Sequence, residues 1–541
     1  MATVSSADAP RTGAPRRFWL WFGLLATLLL ALSAARPLSV PDEGRYADIS
    51  RWMLVSGDWL VPRLDGLPFF HKPPLTHWLQ AISMAVFGVS PWSARVPGVL
   101  LALLMVAVVY RVVRDLGGRA LAGRAAFMLG ASGMVLIGAQ YVNHDIGVAA
   151  WITVAIACFA RSFAEEFRPH AGWACAGFLA CALGLLTKGL IGVALPGLAL
   201  FIWVTWTHQW RKVWRLPWGR GLALFVVVAV PWFVLIAWRF RGAFEYLFGV
   251  QQFDRYIDTG FNNRQPWWFF LAAVALLLAP WIVFAVLEAA GQIRERWTRV
   301  RRTPSNRWVA LCWIWFIAIL VFFSIPRSKL IGYIFPAIPP LAILAALGWQ
   351  RTMAGRPRAV LWFGVLAAIP IVLSTALTLG FPYIDRQPVA RDVGLELRCR
   401  LAPSDVVLVT GGYPFDLPFV ARTRKPLVVL DDWPQLRKTE HDTWRRELFE
   451  AGDFQPGLAS EVLRSPDLVQ KDAHAPGYWL VQRADKGAQN IPAPAGWNLV
   501  FQGRAWRLFR STPAEGTAEP VAGAPKRGCS EAASAHAKTN G

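Results

Sequence analysis

Long apolar runs set the pattern of this chain. They recur near 18–35, 94–112, 121–140, 146–163, 171–187, 189–207, 220–238, 266–288, 307–325, 330–348 and 358–380, with short Arg-rich segments between many of them. A helix rising 1.5 Å per residue needs ~20 apolar residues to cross a ~30 Å hydrocarbon core. These runs therefore predict about eleven transmembrane helices within 18–380. The run 75–87 is different, because its residues would cover only roughly 20 Å. Leu75, Trp78, Leu79, Ile82 and Val86 form one stripe, and Thr76, His77, Gln80 and Ser83 form the other. That pattern predicts a helix lying in the interface. Beyond 381 the pattern changes to short β-like runs, VVLVT at 406–410, PLVVLDD at 426–432 and YWLVQR at 478–483, between helical stretches. A small α/β domain is predicted over 381–511. Residues 512–541, rich in Ala, Gly and Pro, read as a disordered tail. The expected fold class is thus a polytopic α-helical membrane protein with a small C-terminal α/β domain.

Composition agrees with this reading: 55% of residues are hydrophobic, 17% are charged and 29 are Trp. Cys158, Cys175, Cys181 and Cys312 fall in apolar runs and read as small packing residues. The net charge of +22 suggests nucleic acid only until it is located. Residues 381–512 hold 18 Lys+Arg against 16 Asp+Glu, so the excess lies mainly before them, in loops between spans. Such loops report topology, not a nucleic-acid partner. With 75–87 lying flat, the loops carrying Arg111–Arg124, Arg211–Arg220, Arg294–Arg307 and Arg351–Arg358 share the cytoplasmic side with the tail 1–17. The first loop, 36–93, and everything after 381 then lie on the outer side of the membrane. A cleaved signal peptide ending near Ala34-Ala35 is the alternative for the first run. The ten later runs favour an uncleaved span.

That topology gathers the polar motifs on one side. Asp42 and Glu43 follow the first run in PDEGR, Lys72 lies in FFHKPP, and Asp145 lies in YVNHDIG. Lys188 lies in LLTKGLIG, Arg255 in QQFDRYIDTG, and Lys329 and Tyr333 in PRSKLIGYIFPAIPP. Plainer readings compete. Lys188 suits a lysine snorkelling to headgroups. Asp145 suits a helix cap. Asp48 and Arg51 suit a solvated face opposite the apolar stripe Tyr46, Ile49 and Met53. Trp267 and Trp268 suit an interfacial belt. The adjacent acids Asp42 and Glu43 are harder to dismiss, since they repel and need cationic or metal partners.

The acid pair after the first span, the KP loop, the outer Asp before the fourth span, TKG and SKLxxYIxPxxP together resemble the polyprenyl-phosphate-sugar glycosyltransferases of the GT-C superfamily. The likeness covers roughly 15–350 and is strongest to the bacterial branch of lipid A aminoarabinose transferases and protein O-mannosyltransferase relatives. It implies Asp42 as catalytic base or acceptor-orienting carboxylate, with Glu43 as the rival for that role. It implies Asp145 as a second acid, holding the acceptor or, with Asp42, a divalent metal ion. Lys72, Arg255 and Tyr333 would contact the carrier phosphate, and Arg45, Lys188 and Lys329 would complete the substrate-binding set. Two positions depart from the pattern: His71 stands where an acid is common, and Gly332 where Thr is more usual.

The implied reaction moves a pentose such as aminoarabinose, or a hexose, from a polyprenyl-phosphate carrier to lipid A or another envelope acceptor, with inversion. Membrane lipids are the other partners. A lipid or glycan transporter is the alternative, yet the spans carry almost no mid-membrane charge and show no repeated halves. A membrane scaffold would leave the acid pair and the KP loop without a role.

Overall fold

A computed structural model of the chain describes residues 14–254, 263–294, 304–384, 387–440, 443–484 and 494–512. Arg255 and residues 513–541 lie outside the described residues. Contacts divide the chain into two compact units. One holds Met1–Ala35, Gly98–Ala229 and Gln265–Gly380, and the other holds Arg36–Pro97, Val230–Arg264 and Phe381–Gly541.

Among the described residues, 7 helices are long and apolar enough to cross a membrane, or 9 if each of two bent pairs is one span. Two shorter apolar helices, Arg17–Ser33 and Ile191–Thr207, accompany them. All of these fall on the apolar runs of the sequence. The run 266–288 does not form one continuous helix. It is broken into Phe269–Leu277 and Ile282–Arg294, which meet at 112°. Pro280 lies between them; a proline offers no backbone N–H and disfavours helix in the residue before it. The run 121–140 is bent by 50° in the same fashion. There Ser132 starts a new helical turn by accepting a hydrogen bond from the Val135 N–H.

The first unit is built around one large apolar cluster and a smaller one beside helix Asp145–Phe163. Helix Asp145–Phe163 is buried along most of its length, with Ile146, Ile152 and Ile156 fully enclosed. Helix Ala359–Ile384 instead leaves Val360, Leu361 and Val372 exposed. An apolar face bare to the surroundings at this scale belongs against lipid.

In the second unit the chain turns back on itself in a small hairpin, β1 (Arg63–Leu64) and β2 (Leu67–Pro68). Asp65 and Gly66 between them both take positive φ, 50° and 79°, as a two-residue hairpin turn requires. The segment after 381 supplies β3 (Val406–Thr410), β4 (Val428–Leu430), β5 (Leu463–Arg464), β6 (Tyr478–Arg483), β7 (Trp497–Gln502) and β8 (Trp506–Ser511). They form one sheet in the order β5-β4-β3-β6-β8-β7. The β5-β4-β3-β6 part is parallel and the β6-β8-β7 part antiparallel. Val407 and Val409 face one apolar cluster while Leu408 faces another, the period-two alternation of a strand covered on both sides. The first cluster also contains Ile49, Leu64 and Phe69. Burying a side chain of this size contributes about 1.5–3 kcal/mol, so the 36–97 segment and the sheet form one core.

The run 75–87 forms helix Leu75–Phe87, with the expected bounds. Its polar face points inward, with Thr76, His77, Gln80 and Ser83 buried, while Ile82, Val86 and Phe87 are exposed. Ser50 Oγ lies 2.9 Å from His77 Nδ1 and donates to Gln80 Oε1 at 2.6 Å. Burial pushes the His77 imidazole down to about 3, so the ring is neutral in this contact.

Candidate functional site

Asp42 and Glu43 do not trail the first span. That helix ends at Ser33, and the two acids open a new helix, Asp42–Ser56. Carboxylates in a first turn face unpaired backbone N–H groups and the positive end of the helix dipole. Gly44 lets the C-terminal segment come close, since a Cβ there would sit 2.8 Å from the Phe415 carbonyl carbon. Gly57 closes the helix in the left-handed conformation, φ 69°, and donates to the Met53 carbonyl.

Adjacency in sequence hides opposite environments. Glu43 is fully enclosed. Arg95 Nε and Nη2 donate to its two oxygens at 2.9 Å each, Arg36 pairs with it, and the Ser39 N–H donates at 2.9 Å. Burial alone would raise this carboxyl, but the charges of Arg95 and Arg36 bring it down to about 2. Asp42 keeps a side chain 42% exposed. Its Oδ1 accepts from Arg45 Nη2 at 2.5 Å, while Arg45 Nη1 is taken by Glu447. One guanidinium thus serves an open acid and a covered one. Arg36, Arg95 and Glu447 were not singled out from the sequence. A buried acid's need for countercharge was the available signal, but it does not say which Arg answers it.

Asp48 and Arg51 correct the sequence reading. Their side chains are each 2% exposed, and they pair with each other at 2.6 Å. Arg51 also donates to the Thr423 carbonyl at 2.7 Å. The face expected to be solvated is covered by the C-terminal segment. Asp65 lies in the same buried region, accepting from the Leu427 N–H at 2.8 Å, and burial raises its carboxyl well above the usual range. Lys72 is half-buried between His71 and the Pro73-Pro74 pair.

The first unit has its own acid corner. Asp145 opens helix Asp145–Phe163. Asn143 Oδ1 accepts from the Asp145 N–H at 3.0 Å, so the capping expected of Asp145 falls to Asn143. The freed carboxylate pairs with Lys188, whose ammonium stands 4.5 Å from the centre of the Tyr333 ring. Lys188 does not snorkel: it is 10% exposed and joins the ends of two helices. Gly332 explains its own departure from the family pattern. A Cβ there would lie 2.0 Å from Asp145 Oδ2. Lys329 is buried and spends its ammonium on the carbonyls of Gln265 and Pro326.

Among the described residues no group of three or more His, Cys, Asp or Glu is arranged to hold a metal ion. Within its own unit each candidate acid faces a cationic side chain, Arg45 or Lys188, and such a partner competes with a cation for the same oxygens. Neither corner by itself fits a metal.

The family model for dolichyl-phosphate-mannose-protein mannosyltransferase matches residues 18–248. A crystal structure of ArnT from Cupriavidus metallidurans bound to undecaprenyl phosphate is 26% identical, covering 92% of this chain and 98% of that one with a TM-score of 0.75. The chain is thus similar to the GT-C glycosyltransferases. Two curated relatives carry the name undecaprenyl phosphate-alpha-4-amino-4-deoxy-L-arabinose arabinosyl transferase. The one from Sodalis glossinidius is 33% identical over 60% of this chain. The one from Pseudomonas aeruginosa strain LESB58 is 31% identical over 66% of it. The matched stretch spans 58% and 64% of those relatives' own lengths. An Archaeoglobus fulgidus oligosaccharyltransferase shares the fold, with a TM-score of 0.53 at 14% identity over 86% of this chain and 68% of that one. The apolar helices and these GT-C relatives together make the chain a multi-pass membrane protein.

Proposed function

We propose that this chain is an inverting glycosyltransferase that takes a sugar from a polyprenyl-phosphate carrier and delivers it to a cell-envelope acceptor. Aminoarabinose is the favoured sugar and lipid A the favoured acceptor. The carrier class is supported by the relatives' names and by the fold-wide match to a structure bound to undecaprenyl phosphate. In this reading about eleven spans place the N-terminus in the cytoplasm of a bacterial inner membrane. The first loop and the C-terminal α/β sheet then face the periplasm, and helix Leu75–Phe87 lies in the interface with Ile82, Val86 and Phe87 toward lipid.

The observation that carries the assignment of roles is the contrast between Asp42 and Glu43. A general base must reach its proton. Asp42 is open on one side, whereas every side of Glu43 is occupied by Arg36, Arg95 and the Ser39 N–H. Asp42 accepts the acceptor's hydroxyl proton as that oxygen bonds to the anomeric carbon. The bond from the anomeric carbon to the phosphate oxygen breaks on the opposite face, and the carrier phosphate leaves with the electron pair. Lys72 holds that phosphate, where a fixed cation stabilises the growing charge. Arg45 orients Asp42, and Lys188 fixes Asp145 beside Tyr333. Glu43 holds the loop together. Chelation of divalent ions leaves turnover unchanged in this reading, and a fall that Mg2+ or Mn2+ restores would assign the acids to a metal.

The deciding experiment compares Asp42→Asn with Glu43→Gln in purified protein, with undecaprenyl-phosphate aminoarabinose as donor and lipid A as acceptor. Asp42→Asn should lower turnover by roughly 10²–10⁴ while leaving folding intact. Normal turnover in that variant removes the base from Asp42.

A further inference from the structure

The hydroxyl of Tyr246 joins three side chains from distant parts of the second unit. It donates to Glu450 Oε2 at 2.6 Å, accepts from Gln251 Nε2 at 3.0 Å, and lies 2.7 Å from His71 Nε2. A phenol has one proton and two acceptor positions. With its proton given to Glu450 and one acceptor position used by Gln251, the remaining contact requires His71 to donate from Nε2. Burial, and then the Glu450 charge, raise the phenol and keep it protonated.

The surroundings make this junction stiff. The His71 ring stacks on Phe69, with centroids 4.2 Å apart and planes 6° from parallel. Phe454 packs edge-on against both Phe70 and Tyr246, at 4.9 and 5.5 Å. Phe69, Phe70 and His71 are therefore each held, and the next residue is Lys72. Two prolines follow it and restrict the backbone on the other side. Glu450 and Glu447 lie one turn apart on helix Trp444–Asp453, so they share a face. The first reaches Tyr246 and the second reaches Arg45.

We propose that Tyr246 is a positioning residue for the carrier phosphate: anchored by Glu450 of the C-terminal segment, it holds His71 and thereby fixes Lys72 where it meets an anion. The inference rests on the reading of Lys72 as a phosphate ligand. It gives the helix Trp444–Asp453 a role in substrate binding through its contact with Tyr246.

The test measures undecaprenyl phosphate affinity and thermal stability of the full-length protein in detergent. Tyr246→Phe and Glu450→Leu should each weaken binding about tenfold, as loss of one buried hydrogen bond allows. Thermal stability should change little. The sign is informative, because removing the Glu450 charge would tighten anion binding if only long-range electrostatics operated. The double variant should bind no worse than the weaker single variant, since both act through His71. His71→Gln, which keeps a donor, should retain most affinity, and His71→Leu should not. Tighter or unchanged binding in both Tyr246→Phe and Glu450→Leu, with Lys72→Ala weakened, overturns the proposal while leaving the phosphate role of Lys72 standing. Affinity loss matched by a fall in thermal stability, with His71→Gln no better than His71→Leu, also overturns it. Wild-type affinity in Lys72→Ala removes the underlying reading itself.

Discussion

Asp42 and Asp145 each open a helix, and each meets a cation, yet their surroundings differ. Asp42 takes its cation from Arg45 three residues away and shares it with Glu447. Asp145 takes Lys188 from another helix, is preceded by a capping Asn143, and faces a glycine with no room for a methyl group. The first corner leaves its carboxylate 42% exposed and the second leaves 14%. An acid that must exchange a proton with a substrate needs the first arrangement. An acid that must hold a lysine and a tyrosine in place needs the second.

Removing the neighbour that makes Asp42 distinctive should have the largest consequence. Glu43→Gln leaves Arg36 and Arg95 buried without their countercharge, and breaking such a buried group should cost about 3–5 kcal/mol of stability. Chemical or thermal denaturation in detergent reads this directly. The residual folded protein should still turn over, because Asp42 is untouched. A stable Glu43→Gln protein without turnover would reverse the roles of the two acids. The wild-type contribution also has a pH signature. The carboxyl is lowered to about 2 from 4.5, so its stabilisation is complete above about 4.5 and is lost as pH falls toward 2.

How much of this could be read in the sequence follows from where each partner comes from. The apolar runs became the helices because a ~20-residue hydrophobic stretch is its own signal. The runs at 406–410 and 478–483 became β3 and β6 for a similar reason, since β-branched and aromatic residues suit a buried strand. The break at Pro280 was also written locally, but it competed with an uninterrupted apolar pattern. The distant partners of Glu43, Arg51 and Tyr246 were invisible. Arg95, Thr423 and Glu450 lie tens to hundreds of residues away, and a single sequence carries no distance between them. The Asp48–Arg51 pair shows the consequence: spacing on one helix face was right, while solvent exposure depended on what folded over it.

The second corner is sharpened by Gly332→Ala. The added Cβ would fall 2.0 Å from Asp145 Oδ2, so the carboxylate must move and its pairing with Lys188 must shift. A misplacement of about 1 Å away from the reacting atoms can still cost roughly 10² in rate. Turnover should drop by that order, with undecaprenyl phosphate affinity less affected. Unchanged turnover would mean that Asp145 has freedom the close approach denies it, and the contrast with Asp42 would weaken.

The smallest expected effect separates holding an acid from merely capping a helix. Asn143→Ala removes the acceptor for the Asp145 N–H and the 3.3 Å contact from Asn143 Nδ2 to Asp145 Oδ2. Losing a cap of this kind costs about 0.5–2 kcal/mol. Asp145 then has two demands on one carboxylate: the empty N–H groups of its own helix end and the Lys188 ammonium. If the carboxylate turns toward the backbone, Lys188 loses its partner, and turnover should fall several-fold more than the loss of stability explains. Asn143→Ser should recover both, because a serine hydroxyl can accept from the same N–H. A variant in which stability falls but turnover per folded molecule does not would show that the Asp145–Lys188 pair sets its own geometry, independent of the turn before it.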